Sequence, residues 1–328
     1  MTYLVLGSNS FAGASCVDHF LKNGQTVVGV SRSASVHPAI LAYAKNTSIK
    51  NFQFYPFDLN QQFSEIQALI AEKKPKYILD FVGQGMVAES WKTPEQWYQT
   101  NIVSKVKLHN FLRNCDFLEK YIRISTPEVY GHREDPVDET VNFNPSTPYA
   151  VSHAAIDMSL QAFYKQYQFP VVFTRFANFY GPCQQLYRII PRTIIYALTN
   201  KKLILHGGGT SSRAFIYGED IACALEATLQ KGKIGHTYHF SGDQLISIAD
   251  LVNKICHRLM ISFDEFVSTG PERPGKDAIY LMNDQKAKKD LSWQPRMMLD
   301  QGIEKTIEWV HDNLSVIQTL PLEYQHKA

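Results

Sequence analysis

The fold of this chain is decided by residues 3–30, which read YLVLGSNSFAGASCVDHFLKNGQTVVGV. The first apolar run ends in Gly7 and is typical of a buried parallel strand. Apolar residues then follow at helical spacing over residues 12–23, and the pattern stops at Gly24. A second β-rich run occupies residues 26–30. The stretch therefore predicts one βαβ unit of two parallel strands and a crossover helix.

The rest of the chain extends this pattern and then departs from it. Further strand candidates lie at 52–57, 77–82, 121–125 and 171–176, with helical stretches between most of them. This alternation predicts an α/β fold with a Rossmann-type, doubly wound parallel sheet. After Asn178, prolines, a triple-glycine turn and short β runs predict a smaller C-terminal α+β lobe. We expect a Rossmann domain over residues 1–178, with about 213–242 returning to it, and a substrate-binding lobe over 179–328.

Composition and charge exclude several classes of function. Of the 328 residues, 45% are hydrophobic and 20% are charged, and the net charge of +2 gives no basic surface for nucleic acid. No apolar run approaches the roughly 18 residues that span a bilayer, so we expect no membrane segment. Residues 1–7 lack the features of a signal peptide. Five widely spaced cysteines predict free thiols, no metal site and a location in the cytoplasm.

The turn after the first strand is similar to the glycine-rich fingerprint of dinucleotide-binding proteins. Its pattern is GxxGxxG with a serine in the middle position, and the residues that we expect to bind the cofactor there are Gly7, Ser10, Phe11 and Gly13. Such a turn lets backbone N–H groups and a helix N-terminus face a pyrophosphate. A glycine-rich turn that serves packing alone is the alternative. The position between a strand and a helix favours NAD(P) binding.

The end of the second strand carries information on the type of cofactor. An acidic residue at this point holds the ribose 2′-hydroxyl of NAD, whereas an arginine accommodates the 2′-phosphate of NADP. This chain has Ser31 and Arg32 there, which favours NADP over NAD. After the third strand, Asp58 and Leu59 are placed to meet the adenine. A surface arginine and an aspartate that caps a helix remain the alternatives.

A hydroxyl, a carboxylate, a phenol and an imidazole form the predicted catalytic set. Thr126 and Glu128 follow directly after strand 121–125, at the carboxyl end where parallel sheets bind ligands. Tyr149 and His153 lie four residues apart and therefore share one helix face. A hydroxyl at a strand end with Tyr-x-x-x-Lys is the catalytic set of short-chain dehydrogenases. In this chain His153 stands at the lysine position.

With these motifs together, the chain resembles the extended short-chain dehydrogenases/reductases, the NAD-dependent epimerase/dehydratase family. It is most similar to the nucleotide-sugar 4,6-dehydratases. The resemblance runs from Tyr3 to about Val310. Besides the fingerprint turn, the segments that carry it are TPEVYG at 126–131, PYAVS at 148–152, RFANFYGP at 175–182, RAFIYGED at 213–220, ERPGKD at 272–277 and LSWQP at 291–295.

The resemblance implies a specific reaction on a nucleotide-diphosphate sugar. Tyr149 would take the proton of the carbon-4 hydroxyl while hydride passes to the nicotinamide, and Thr126 would hydrogen-bond the same oxygen. Glu128 would then remove the carbon-5 proton. Loss of water and return of hydride to carbon 6 give a 4-keto-6-deoxy sugar. A nucleotide-sugar 4-epimerase, a uronate decarboxylase and a non-catalytic NAD(P)- or nucleotide-sugar-binding protein are the alternatives.

Three residues depart from the pattern of the family. Ser10 replaces the middle glycine of the fingerprint. Pro127 stands where glucose-type dehydratases carry an aspartate that protonates the leaving hydroxyl, so Glu128 would act as both base and acid. His153 has a reference pKa of ~6.5 and lacks the permanent charge of a lysine. We therefore expect a slower or more pH-dependent oxidation step, which His153→Lys would accelerate.

The resemblance also implies residues for the substrate and a partner for the chain. Its substrate-binding residues would be Glu89, Asn178, Arg192, Arg213 and Arg273. Arginines suit a diphosphate because their planar fork donates two parallel hydrogen bonds. The chain would form a homodimer in which the helices at 95–113 and 149–167 pair across a two-fold axis. The same apolar residues would serve equally well against the protein's own sheet.

Overall fold

The computed structural model describes residues 2–33, 36–133, 135–272 and 281–327. Within these ranges the strands are β1 (Thr2–Leu6), β2 (Thr26–Val30), β3 (Phe52–Tyr55), β4 (Tyr77–Asp80), β5 (Lys120–Ser125), β6 (Val171–Phe176), β7 (Asn178–Tyr180), β8 (Leu203–His206), β9 (Ser212–Tyr217), β10 (Thr237–Phe240), β11 (Leu245–Ser247) and β12 (Val267–Gly270). The helices are α1 (Phe11–Lys22), α2 (Phe63–Lys73), α3 (Pro94–Tyr98), α4 (Lys105–Leu112), α5 (Pro148–Tyr167), α6 (Ile189–Leu198), α7 (Gly218–Lys231), α8 (Ile248–Leu259), α9 (Phe263–Phe266), α10 (Gln285–Leu291), α11 (Leu299–Asp312) and α12 (Leu314–Ile317).

A seven-stranded sheet with the order β10-β6-β5-β4-β1-β2-β3 forms the centre of the molecule. Every strand pair in it is parallel. From β1 the chain first adds β2 and β3 on one side and then adds β4, β5 and β6 on the other, so the strand order reverses at β1. Doubly wound sheets bind ligands outside such a reversal point. The predicted Rossmann-type parallel sheet is confirmed.

Helices cover both faces of this sheet, because strands that are apolar on both sides need cover on both sides. On one face α1 and α7 pack against the sheet through fully buried residues such as Cys16, Phe20 and Leu225. On the other face lie α2, α4 and α5, which contribute Ile66 and Leu160 among others. Across the described residues, each helix is too short or too polar to serve as a membrane span.

Two small sheets are formed by strands from the second half of the chain. The order β11-β9-β7 forms one of them, and β8 pairs with β12 in the other. Apolar residues of α6, α8 and α11 pack against the first of these sheets around Ile194, Leu251 and Ile303. The division of the chain into two lobes near Asn178 stays a prediction.

The predicted helix over residues 95–113 is interrupted in the structure. It consists of α3, a π-helical segment at Gln99–Ser104 and α4. Within the π-helical segment, the buried Asn101 accepts a hydrogen bond from the backbone of Gln84 at 2.8 Å and donates to Ser152 at 2.9 Å. Such π-bulges are frequent at functional sites. This one ties the loop after β4 to the start of α5.

Candidate active site

The glycine-rich turn brings β1, α1 and the end of β4 into close contact. Gly7 has φ +82°, and a side chain on it would meet the backbone of Phe81 at 2.9 Å. A Cβ on Gly13 would lie 2.2 Å from the carbonyl oxygen of Gly7. Both glycines are therefore required, one by its backbone conformation and by space, the other by space alone.

Ser10 fills the middle position of the turn without strain. Its φ of −71° and ψ of 159° suit any residue, so no glycine is needed there. The hydroxyl donates to the carbonyl oxygen of Gly7 at 2.7 Å and accepts from the N–H of Gly13 at 3.1 Å. Ser10 is thus the N-cap of α1. This departure from the glycine pattern stabilises the helix whose N-terminus the turn presents.

The turn fits the pyrophosphate of a dinucleotide. Gly7 and Gly13 let the backbone approach closely, and Ser10, Phe11 and Ala12 line a cavity of about 570 Å³ at the N-terminus of α1. A helix N-terminus carries partial positive charge and N–H groups that favour a phosphate.

The residues predicted to meet the ribose and the adenine form contacts within the chain. The hydroxyl of Ser31 accepts from the N–H of Asn9 at 2.9 Å, and Arg32 donates to the carbonyl oxygen of Lys327 at 3.0 Å. Asp58 accepts from the N–H of Asn60 at 2.7 Å, as in an Asx turn, and Leu59 is buried. None of these four is among the cavity-lining residues of the described chain. Their contacts to a cofactor stay predictions.

The cavity collects side chains from both halves of the chain. Of the predicted catalytic and substrate-binding residues, those that line it are Thr126, Glu128, Tyr149, His153, Asn178, Arg192 and Arg213. They come from the turn after β5, from α5, from β7, from α6 and from β9. The sequence pattern thus identified side chains that the fold brings together from distant parts of the chain.

Thr126 and Glu128 are joined by two hydrogen bonds. Thr126 caps the 3-10 turn Pro127–Tyr130, since its Oγ1 accepts from the N–H of Glu128 at 3.3 Å. The same hydroxyl donates to Oε2 of Glu128 at 3.1 Å. Pro127 suits the first position of this turn because it needs no N–H there. The turn holds the carboxylate of Glu128 beside Thr126.

Tyr149 lies in the first turn of α5, which Thr147 caps. Burial and the carboxylate of Glu128 raise the pKa of Tyr149 above its ordinary value, while a hydrogen bond with Thr126 and the cations Arg188 and Arg123 lower it. The pKa is raised on balance. The phenol is therefore protonated at neutral pH unless further positive charge enters the site.

His153 stands one helical turn after Tyr149, and their ring centroids are 4.6 Å apart. Its Nδ1 lies 3.0 Å from Nη2 of Arg123. Burial lowers the pKa of His153 well below its ordinary value, and Arg123, Lys105 and Arg175 lower it further. Both effects favour the neutral imidazole over the imidazolium.

A buried ionic network behind His153 was missed by the sequence analysis. Asp157 accepts from Nε of Arg123 at 2.9 Å, from Arg175 at 2.8 Å and from the hydroxyl of Ser125 at 2.6 Å. Both arginines are almost completely buried. The available signal was an arginine in the interior of each of two apolar strands, KYIRIS and VVFTRF.

The predicted substrate-binding residues fall into three groups. Asn178, Arg192 and Arg213 line the cavity. Arg192 forms an ion pair with Glu323. Glu89 is not among the lining residues, and its carboxylate pairs with Lys92 at 2.8 Å, so its role in the sugar pocket stays a prediction. Arg273 lies outside the described residues.

Comparison with known proteins adds independent information. A family model described as GDP-mannose 4,6 dehydratase matches residues 4–306. A dTDP-glucose 4,6-dehydratase of Shigella flexneri is 30% identical, with 98% of this chain and 95% of the relative covered. The crystal structure of a dTDP-glucose 4,6-dehydratase from Bacillus anthracis in complex with NAD is 27% identical, with a TM-score of 0.83 over 96% of this chain and 98% of the other. A UDP-glucuronic acid 4-epimerase from Bacillus cereus, in complex with UDP-glucuronic acid and NAD, is 25% identical with a TM-score of 0.86 over 95% and 99%.

Proposed function

Because this chain belongs to the GDP-mannose 4,6-dehydratase family, we propose that it converts a nucleotide-diphosphate hexose into the 4-keto-6-deoxy sugar by removing one water. The observation that carries this proposal is the carboxylate of Glu128 beside Thr126 and Tyr149 in one cavity. Of the protein's side chains, oxidation at carbon 4 needs only the hydroxyl and the phenol, since a bound nicotinamide would accept the hydride. A carboxylate at the same place supplies the general base that elimination needs and that epimerisation does not.

The enzyme requires a nicotinamide dinucleotide, and the solved relatives from Bacillus anthracis and Bacillus cereus bind NAD. Gly7, Ser10, Phe11 and Gly13 would hold its pyrophosphate at the N-terminus of α1. When bound, the nicotinamide supplies the hydride acceptor for carbon 4 and the hydride donor for carbon 6. His153 lines the same cavity, where its ring would face the ribose.

Tyr149 would accept the proton of the carbon-4 hydroxyl, and Thr126 would hold the same oxygen. The hydrogen bond between the two residues fixes their relative position and lowers the pKa of Tyr149. The phenol must lose its proton before it can act as a base, so each nearby cation assists this step.

Glu128 would carry the elimination alone. The ketone at carbon 4 acidifies the hydrogen on carbon 5, and the carboxylate takes that proton. The protonated Glu128 then donates it to the departing carbon-6 hydroxyl, which leaves as water. Pro127 has no proton to give, so the chain offers no acid at the adjacent position. A proton from solvent restores carbon 5 when hydride arrives at carbon 6.

Arginines along α6 and β9 would bind the diphosphate of the substrate. Arg192 and Arg213 line the cavity, and Arg188 lies close enough to Tyr149 to lower its pKa. Glu323, near the end of the chain, now pairs with Arg192. A diphosphate would compete with this carboxylate for the guanidinium.

We retain NADP as the preferred cofactor, on the basis of Arg32. Its guanidinium donates to the carbonyl oxygen of Lys327, a contact that a 2′-phosphate would replace with a charge-assisted one. The cytoplasmic location is likewise retained from the cysteine pattern.

A homodimer is also part of the proposal. Val151 and Met158 on α5 and Val103 before α4 are 38%, 59% and 44% exposed, although they are apolar. A second copy of the chain would cover them. Light scattering of the unaltered chain and of the Met158→Glu variant tests this. A dimeric unaltered chain with a monomeric variant supports the interface. A monomeric unaltered chain overturns it.

A panel of nucleotide hexoses tests the function. Each sugar is incubated with the protein and NAD or NADP, and the products are analysed by mass spectrometry. Loss of one water from one sugar supports the proposal. Loss of carbon dioxide indicates a decarboxylase, an isomer of unchanged mass indicates an epimerase, and tight binding without turnover indicates a non-catalytic protein.

A further inference from the structure

The position that holds a lysine in short-chain dehydrogenases has a guanidinium directly behind it in this chain. Nη2 of Arg123 lies 3.0 Å from Nδ1 of His153, and His153 borders the cavity. A guanidinium can only donate hydrogen bonds, so Nδ1 must accept. The ring proton is therefore on Nε2. The contact fixes both the tautomer and the neutral state of the imidazole.

The ionic cluster around Arg123 keeps a positive charge although it is buried. Its members come from five elements, β4, α4, β5, α5 and β6, and they are Asp80, Lys105, Arg123, Asp157 and Arg175. Three cations face two carboxylates. Burial lowers the pKa of Lys105 to about 8, so it is still mostly charged at neutral pH. The cluster thus carries about one net positive charge beneath the active site.

We propose that Arg123 is a positioning residue that replaces the missing lysine: it holds His153 as the Nε2–H donor and supplies the positive charge that assists Tyr149. The positive charge is then supplied by Arg123 of β5 and not by residue 153 of α5. The kinetic part of this inference rests on the proposed function, whereas the part about His153 does not. In support, His153 contacts both Arg123 and Tyr149, and the charge of Arg123 lowers the pKa of Tyr149.

This inference changes the expectation for His153→Lys. A lysine at 153 would place its ammonium next to the guanidinium of Arg123, and two cations in a buried site repel each other. The single substitution should therefore lower the rate of cofactor reduction instead of raising it. Moving the charge back to the helix requires a second change, so Arg123→Gln/His153→Lys should recover a rate near that of the unaltered protein.

The first experiment needs neither substrate nor cofactor. Nitrogen-15 labelling of histidine, with His153 assigned from the His153→Gln variant, reports the protonation of each ring nitrogen by NMR. The inference predicts one neutral Nε2–H form of His153 at every pH from about 5.5 to about 9, because its pKa lies well below 6.5. An imidazolium that titrates near its ordinary pKa, or an Nδ1–H tautomer, overturns it.

The second experiment measures how fast bound cofactor is reduced in a single turnover, as a function of pH. The groups that face Tyr149 and His153 from all sides are Arg123, Lys105, Arg175, Asp157, Glu128 and Arg188. Of these only Arg123 is changed. Arg123→Gln should slow reduction by about tenfold at neutral pH and shift the profile about one unit to the alkaline side, since one pKa unit is a tenfold change. Arg123→Lys should keep most of the rate.

Arg113→Gln, at the exposed end of α4, is the matched control and should leave the profile unchanged. A slower Arg123→Gln enzyme with an unshifted profile would show a merely structural role and overturn the inference. So would failure of the double variant to recover more rate than Arg123→Gln alone. If the unaltered protein reduces no cofactor with any sugar, the proposed function fails, and the NMR experiment still decides the role of Arg123.

Discussion

The hydroxyl of Thr126 donates to the carboxylate of Glu128 across 3.1 Å, within a turn that the same hydroxyl caps. Thr126 therefore positions the carboxylate of Glu128. The proposed chemistry uses them in different steps, Thr126 in the oxidation and Glu128 in the elimination. This separation makes the two steps experimentally distinguishable.

Glu128→Gln should stop the reaction after oxidation. The amide keeps the shape of the side chain but cannot accept a proton, and removing a general base costs about 10²- to 10⁴-fold in rate. We expect the 4-keto-6-deoxy product to fall by this factor while reduced cofactor accumulates, which its absorbance measures. Glu65→Gln on the exposed face of α2 is the control. Loss of both reduction and product would contradict the separation of the two steps.

The rate of cofactor reduction should rise with pH through the neutral range. Burial and Glu128 raise the pKa of Tyr149 in the protein without cofactor, and only the phenolate is a base. Below its pKa the phenolate fraction rises about tenfold per pH unit, and the rate should follow it. Tyr149→Phe should remove the activity, and Tyr167→Phe near the end of the same helix should retain it. A rate that falls as pH rises would exclude Tyr149 as the base.

Arg32→Ala should weaken NADP binding and leave NAD binding nearly unchanged. A hydrogen bond to a charged group contributes about 1.5–3 kcal/mol, so we expect about a 10- to 100-fold loss of affinity for NADP. Fluorescence titration of the reduced cofactors measures both constants. Equal losses for the two cofactors, or none for either, would show that Arg32 does not contact the 2′-phosphate.

Asp157→Asn should destabilise the protein far more than an exposed substitution. The change leaves the buried guanidiniums of Arg123 and Arg175 without their shared carboxylate, and breaking such a network costs about 3–5 kcal/mol. Urea unfolding measures the loss, and Asp116→Asn in an exposed loop should cost little. A loss below about 1 kcal/mol would indicate that the network contributes little to folding.

The strands of the large sheet were predictable because each is a short apolar run between turn residues. That Thr126, Glu128, Tyr149 and His153 lie near one another was also predictable, since the first two follow a strand and the last two share a helix face. Their catalytic roles stay proposals. The interruption of the helix at 95–113 was not predictable. Within it, Asn101 accepts a hydrogen bond from Gln84 and donates one to Ser152, and both partners are distant in sequence.

The contact of His153 with Arg123 was not predictable for the same reason. Arg123 lies 30 residues earlier, and only the packing of α5 against β5 brings the two side chains together. The contact of Arg32 with Lys327 spans 295 positions and has no local signal in the sequence. Local patterns predict elements and their ends, whereas buried charge networks depend on tertiary packing.

The most direct test of the central claim is the reaction in heavy water, with the nucleotide hexose that the panel identifies. If Glu128 removes the carbon-5 proton and solvent restores it, the product has lost one water and gained one deuteron, which NMR locates at carbon 5. Mass spectrometry of the same sample gives the corresponding mass. A product with the mass of the starting sugar, or a dehydrated sugar without deuterium at carbon 5, would contradict the account.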